Sequence, residues 1–199
     1  MPVSESNKIY QEVINAMIAV HRLTDGYTPN HEDQTAELAV MIGRHLDLAT
    51  ERIDALHMAS RVHDIGKATI PLALLTKPGR ISVEEYDVLK THVQFGYEIL
   101  NKISFPFNLA EIVHCHHEYL DGSGYPRGIS GDEIPLEARI LTVADIVESM
   151  SADRPYRKSL GMSAALDEIQ RQSGVRLDTV VVDACLDVVK RSNWRPISN

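Results

Sequence analysis

Apolar residues recur at helical intervals along most of the chain, and no convincing run of alternating apolar and polar residues indicates a strand. Residues 9–22 form one amphipathic pattern, and Leu38, Ile42 and Leu46 share a face of a later predicted helix. Residues 135–150 are strongly apolar, which favours a buried helix, and two more helices are predicted beyond them. The pattern therefore predicts an all-α fold, a single-domain helical bundle.

Capping residues and helix breakers indicate where the predicted helices begin and end. Thr28-Pro29 is typical of a cap followed by a first-turn proline. Ser82 and Glu85 have the spacing of a capping box, which predicts a helix start at this point. Residues 121–135 contain four glycines and two prolines, so we expect a loop there.

Composition excludes several classes of function. The chain has 20 basic and 28 acidic residues, a formal net charge of −8. This balance argues against duplex nucleic acid as a partner, because phosphate binding needs a basic surface. A small phosphorylated ligand is still compatible, since metal ions and a few cationic side chains can meet its charge.

Targeting signals and disulfides are not indicated either. No apolar run approaches the roughly 20 residues of a membrane span, and the N-terminal residues have no apolar core of a signal peptide. The two cysteines, Cys115 and Cys185, form no disulfide framework and are expected to be small buried side chains. These observations predict a soluble cytoplasmic protein with no membrane partner.

The adjacent residues His63 and Asp64 are the first candidates for metal binding. Neighbouring helix positions are about 100° apart, so both side chains can reach one site, and Lys67 follows one turn later. A carboxylate has two oxygens and can bridge two cations, whereas each imidazole binds one. A His-Asp pair by itself is more often a solvated helix end.

Further histidines and an aspartate supply the ligand types that such a site needs. Asp145 lies in a strongly apolar segment, where an unpaired carboxylate is costly, so it needs a cation from an ion pair or a metal. His31, His92 and the adjacent His116 and His117 fall on apolar faces, although each alone is more often structural. Together they predict a metal site with these ligands: His31, His63, Asp64, His92, His116, His117 and Asp145.

The motifs, taken in order, resemble the HD-GYP domain, a branch of the HD metal-dependent phosphohydrolases. The resemblance covers residues 27 to about 190. We therefore expect an HD-GYP domain in residues 27–199, preceded by an accessory helix in residues 1–26 that lies outside the motifs. The motifs that carry the resemblance are Tyr27-Thr28-x-x-His31, His63-Asp64-Ile65-Gly66-Lys67, Ile70-Pro71, Lys77-Pro78-Gly79, Thr91-His92, His116-His117-Glu118, Asp121-Gly122-x-Gly124-Tyr125-Pro126, Val143-Ala144-Asp145 and Arg154-Pro155-Tyr156-Arg157.

The resemblance implies hydrolysis of cyclic di-GMP to linear pGpG or to GMP. It assigns His31, His63, Asp64 and Asp145 to one divalent ion, and Asp64, His92, His116 and His117 to a second. The ligand types suit iron, manganese or zinc, and the family favours iron or manganese. A hydroxide between the ions would be the nucleophile, and Lys67 would add positive charge beside the phosphate.

One departure from the family pattern concerns the number of metals. Tyr27 stands four residues before His31, where some relatives have a glutamate associated with a third metal. Because tyrosine is a poor substitute for that carboxylate, we expect two metals rather than three.

Substrate contacts are expected outside the metal ligands. Tyr125, on the glycine-rich loop, can present a flat ring to guanine or a hydroxyl to phosphate. Arg154 and Arg157 suit bidentate recognition of phosphate. Glu148, one turn after Asp145, is expected to accept hydrogen bonds from guanine.

Two other classes of function compete with this interpretation. The first is an HD phosphohydrolase acting on another nucleotide, such as hybrid cyclic GMP-AMP, a nucleoside monophosphate or a guanosine polyphosphate. The second is a non-enzymatic receptor for cyclic di-GMP, or a scaffold that acts through the tyrosine loop. Every metal ligand that the motifs require is present, which favours an enzyme over a receptor.

Macromolecular partners follow from the resemblance as expectations. The tyrosine loop is a predicted contact for a diguanylate cyclase with a GGDEF domain. About 26 residues precede Tyr27, so we expect a free-standing domain or a sensor supplied by a separate protein. Pairing of the 9–22 helix with a second copy would give a homodimer, while packing on its own domain is the alternative.

Overall fold

The computed structural model describes residues 5–24, 30–153 and 158–197, and helices dominate all three segments. Within these segments no β-strand forms, and Ser173 and Leu177 make an isolated bridge. The all-α prediction is confirmed. The α-helices are α1 (Glu5–Thr24), α2 (His31–His45), α3 (Thr50–Val62), α4 (Leu72–Leu75), α5 (Val83–Leu100), α6 (Leu109–His114), α7 (Leu136–Ser151), α8 (Met162–Gln172) and α9 (Thr179–Ser192), with 3-10 helices at Ile65–Thr69 and Gly131–Glu133.

Helix α2 lies at the centre of the bundle, where it packs against α3, α7 and α9. Its residues Leu38 and Ile42 are one turn apart and fully buried, as the apolar pattern predicts. On α7, Ile140 and Leu141 are fully buried in the same core. The packing of α2 against α7 brings the first residue of α2, His31, beside Asp145 of α7.

Helix α1 contributes to this core. Its buried residues Ile14 and Ile18 belong to the main apolar cluster, and the helix packs against α3 and the 65–69 helix. These contacts agree with packing of the helix on its own domain. The domain boundary at residue 26 stays a prediction. None of the described helices is long and apolar enough to span a membrane.

The predicted helix starts can be compared with the structure at two places. The capping box of α5 is present: Glu85 N donates to Ser82 Oγ at 3.2 Å, and Ser82 N donates to Glu85 Oε2 at 2.7 Å. The Thr28-Pro29 cap lies outside the described residues.

Gly66 allows the closest backbone approach between the 65–69 helix and α5. A Cβ at this position would lie 1.9 Å from His92 O and 2.6 Å from Gly96 N, so no side chain fits without separating the two elements. The contact places Lys67, the next residue, beside the helix that carries His92. Glycine at position 66 therefore sets the distance between two parts of the predicted metal site.

We expect Gly66→Ala to lower the free energy of unfolding by about 3 kcal/mol, because the clash involves backbone atoms that have no room to move aside. Thermal or urea unfolding of the variant measures this loss. Ala68→Ser is the matched control, since Ala68 is an exposed residue of the same 3-10 helix. Equal stabilities of the two variants would contradict the close approach.

Candidate metal centre

The first half of the site lies where α2, α7 and the turn after α3 meet. The Nε2 atom of His31 is 3.3 Å from Asp145 Oδ1, and His63 Nε2 is 3.7 Å from the same oxygen. Asp64 Oδ2 is 3.5 Å from His63 Nε2 and 3.9 Å from His31 Nε2. Two imidazoles and two carboxylates therefore converge on one small volume.

The second half of the site is built from imidazoles. One ring nitrogen from each of His92, His116 and His117 lies within 4.8 Å of the others. Asp64 reaches this group through its second oxygen, because Oδ1 is 3.4 Å from His92 Nε2. The Asp64 carboxylate thus lies between the two groups, as a bridging ligand requires.

Two pairs of adjacent candidate ligands lie in short turns after helices, and not within helices as the sequence predicted. Helix α3 ends at Val62 and α6 ends at His114, so the His63-Asp64 and His116-His117 pairs lie just beyond their helices. The prediction that they occupy helical positions is wrong in this respect. The inward orientation comes instead from hydrogen bonds to the preceding helix ends.

Backbone carbonyls hold three of the rings by their Nδ1 atoms. His63 Nδ1 is 2.7 Å from Ser60 O, His92 Nδ1 is 2.7 Å from Leu89 O, and His116 Nδ1 is 2.6 Å from Val113 O. A carbonyl only accepts, so Nδ1 carries the proton and Nε2 presents its lone pair to the site. This second hydrogen bond is the usual way in which a protein orients a metal-binding histidine.

His31 is held by a carboxylate in place of a carbonyl. Glu148 Oε2 accepts from His31 Nδ1, and the Glu148 residue is only 1% exposed. The prediction that Glu148 contacts guanine does not fit this position, because the carboxylate is buried against His31. The Glu148 carboxylate instead orients the His31 imidazole.

The electrostatics of the site favour neutral imidazoles in the second group. Burial lowers the pKa of His92, lowers that of His116 well below its usual value, and brings that of His117 to about 3. Their lone pairs are therefore available at neutral pH. Nε2 of His92 and Nε2 of His116 are buried without a hydrogen-bond partner, a costly arrangement that a bound cation would relieve.

The first group carries charge. Burial opposes ionisation of Asp64, but Lys67 and the surrounding histidines hold the pKa of its carboxyl well below the usual value. Burial also disfavours protonation of His31, but the carboxylates of Asp145 and Glu148 outweigh it and raise the pKa of His31 to about 9. The donor set, imidazoles with carboxylates and no thiolate, fits one or more divalent cations.

Lys67 lies at the open side of the site. Its Nζ is 2.5 Å from Asp64 Oδ2, and its side chain is 28% exposed. The 3-10 turn of residues 65–69 brings the two residues together at a spacing of three. Lys67 thus places a cation beside the Asp64 carboxylate, within reach of solvent.

The glycine-rich loop folds back over the second group. The Tyr125 ring stacks on His117 with centroids 4.8 Å apart. A Cβ at Gly124 would lie 2.4 Å from Glu118 Cα, so the loop approaches the turn as closely as glycine permits. Tyr125 therefore covers one member of the imidazole group from outside.

Sequence reasoning assigned no role to two residues that hold this region. Glu118 is buried, and its Oε1 accepts from Arg127 N at 2.7 Å and Gly128 N at 3.2 Å, which anchors the loop. Thr142 Oγ1 donates to His116 O at 2.7 Å, and this bond links the turn that carries His116 and His117 to α7. The signal for Thr142 was a hydroxyl on an apolar helix, one turn before Asp145.

Three predicted residues cannot be compared with the structure. Tyr27, Arg154 and Arg157 lie outside the described residues. Their proposed roles in metal number and phosphate recognition stay predictions.

The chain is similar to several known proteins. The family model for the HD domain matches residues 13–181. The cyclic di-GMP phosphodiesterase response regulator RpfG of Xanthomonas campestris is 36% identical over 92% of this chain and 49% of its own length. The 3'3'-cGAMP-specific phosphodiesterase 3 of Vibrio cholerae is 38% identical over 83% of this chain and 35% of its own length.

A solved structure of a cyclic GMP-AMP specific phosphodiesterase from Vibrio cholerae shares the fold. Its TM-score is 0.69 at 20% identity, over 92% of this chain and 49% of that one. The chain spans about half, or less, of the length of these curated relatives. The match over residues 13–181 and the ordered motifs show that the chain belongs to the HD domain family, in its HD-GYP branch.

Proposed function

We propose that this chain is a metal-dependent phosphodiesterase that hydrolyses cyclic di-GMP, with linear pGpG as the main product. The observation that carries the proposal is the Asp64 carboxylate between two groups of imidazoles, at 3.5 Å from His63 and 3.4 Å from His92. Relatives named as cyclic di-GMP phosphodiesterases, at 36% and 34% identity, support the substrate.

Two divalent cations, iron or manganese, are the proposed cofactors. When bound, they would polarise phosphate oxygens as Lewis acids and lower the pKa of water. The ligands proposed to hold them are His31, His63, Asp64 and Asp145 on one side, and Asp64, His92, His116 and His117 on the other.

The remaining residues act on the substrate or on the ligands. Lys67 places positive charge beside Asp64, where it can stabilise charge that develops on the phosphate oxygens. Glu148 fixes the orientation of His31 by accepting its Nδ1 proton. The Tyr125 ring stacks on His117 and meets the Tyr86 ring at the edge of the site, where it can contact a nucleobase.

Hybrid cyclic GMP-AMP is the second candidate substrate. The 38% identity to a 3'3'-cGAMP-specific enzyme favours it. Guanosine polyphosphates and a purely non-enzymatic role have no comparable support in the described structure. Contact with a diguanylate cyclase, a separate sensor and a homodimer stay predictions.

A substrate panel tests the proposed function. The reduced protein, loaded with iron(II) or manganese(II), is incubated with cyclic di-GMP, 3'3'-cGAMP and a guanosine polyphosphate, and products are resolved by chromatography. We expect pGpG from cyclic di-GMP with the highest kcat/KM of the three. Absence of any cyclic dinucleotide hydrolysis by metal-loaded protein would refute the proposal.

Asp64→Asn tests the bridging carboxylate. We expect the parent protein to bind two metals per chain, and the variant to lose metal and at least about 100-fold in turnover, because the amide carries no negative charge to hold cations. Metal analysis after anaerobic purification and steady-state kinetics provide the measurements. Asp187→Asn, at an aspartate of α9 whose side chain is 50% exposed, is the control. Full metal content with full turnover in the Asp64 variant would exclude the bridging role.

Glu148→Gln separates orientation of His31 from contact with guanine. We expect metal affinity to fall about 10- to 100-fold, because a neutral amide orients the ring less firmly. Excess metal should then restore kcat. Titration with manganese measures the affinity, and Glu98→Gln, at an exposed position of α5, is the control. Unchanged metal affinity with a raised KM would instead support the guanine contact.

A further inference from the structure

Two tyrosine rings meet at a right angle beside the metal centre. Tyr86 of α5 and Tyr125 of the loop have centroids 6.3 Å apart and planes inclined by 83°. Tyr125 also stacks on His117, so the pair extends the second imidazole group outward. Tyr86 is 45% exposed and therefore presents ring surface to solvent at the edge of the site.

Lys90 places a cation beside these two tyrosine rings. It follows Tyr86 by one turn of α5, and its Nζ lies 5.4 Å from the Tyr86 centroid and 5.9 Å from the Tyr125 centroid. Both distances are within the range of a cation–π contact, which favours ordered rings. Lys90 also pairs with Asp87 at 2.7 Å. Asp87 is exposed, so that pair is weak and can be exchanged for an anionic ligand.

Helix α5 fixes the position of Tyr86 and Lys90 relative to the metal centre. Tyr86, Lys90 and His92 share α5, and His92 follows Tyr86 by six positions, about 9 Å along the helix axis. Gly66 and Gly96 hold that helix against the segment that carries Lys67. The distance from a ligand phosphate at the imidazoles to Tyr86 and Lys90 is therefore set by the helix.

We infer that Tyr86 and Lys90 form a subsite for the part of the substrate that lies beyond the reacting phosphate, one purine and the second phosphate. The inference rests on the proposed function. An aromatic face is the usual platform for a nucleobase, and an adjacent cation suits a phosphate. A cyclic dinucleotide has both groups outside the reacting phosphodiester, whereas a simple phosphodiester has neither.

Kinetics with two substrates test this subsite. Tyr86→Ala and Lys90→Met should each raise KM for cyclic di-GMP about tenfold and leave kcat unchanged, because they remove binding that ground and transition states share. Both variants should hydrolyse bis(p-nitrophenyl) phosphate, which lacks a purine and a second phosphate, as the parent does. Tyr86→Phe and Lys90→Arg should each keep the KM of the parent protein. Val88→Ala, exposed on the same helix, is the control.

Binding without turnover provides an independent readout. Calorimetric titration of the metal-loaded protein with a phosphorothioate analogue of cyclic di-GMP should show the same tenfold loss of affinity in Tyr86→Ala and Lys90→Met. Unchanged KM and Kd in both variants would overturn the subsite. So would an equal loss of activity on both substrates, which would indicate damage to the metal centre.

The outcome also distinguishes the subsite from the function on which it rests. If the parent hydrolyses cyclic di-GMP and the variants match it, only the subsite is refuted. If the parent hydrolyses bis(p-nitrophenyl) phosphate but no cyclic dinucleotide, the proposed substrate class is refuted, and the subsite with it.

Discussion

The Asp64 carboxylate, buried between two groups of imidazoles, is the interaction on which the site depends. A buried carboxylate is stable only when cations or hydrogen-bond donors surround it, and Asp64 has Lys67 at 2.5 Å and histidine nitrogens on both sides. Because its two oxygens face different groups, it couples elements that are distant along the chain. The packing of α2, α5 and α7 around the turn after α3 is what makes this arrangement possible.

Helix ends contribute to the chemistry of the site through their unpaired carbonyls. The last turn of a helix leaves carbonyl groups without intrahelical partners. Ser60 O and Val113 O, near the ends of α3 and α6, accept from the imidazoles of His63 and His116. Each bond satisfies a carbonyl and directs the opposite ring nitrogen into the site. The same contacts therefore terminate the helices and select the tautomer that a metal requires.

The site is closed on its core side and open where Lys67, Tyr125 and Tyr86 lie. Burial on the closed side lowers the pKa of His116 and His117, which keeps these two imidazoles neutral. The open side combines the exposed Tyr86 ring and the half-buried Tyr125 ring with Lys67 and Lys90, in a chain whose net charge is −8. Local cations, and not the overall charge, thus create a surface suited to an anionic nucleotide.

The sequence alone determined the helical class, the capping box of α5 and the ligand types, since helical periodicity and the ordered motifs depend on local spacing. It did not determine that His63 and His116 lie beyond their helices, because helix ends depend on hydrogen bonds that spacing does not reveal. Only the tertiary structure decided that Glu148 faces His31, and that Tyr86 and Lys90 of α5 adjoin Tyr125. Those contacts join residues far apart in the chain, so the packing of helices sets them and no local pattern encodes them.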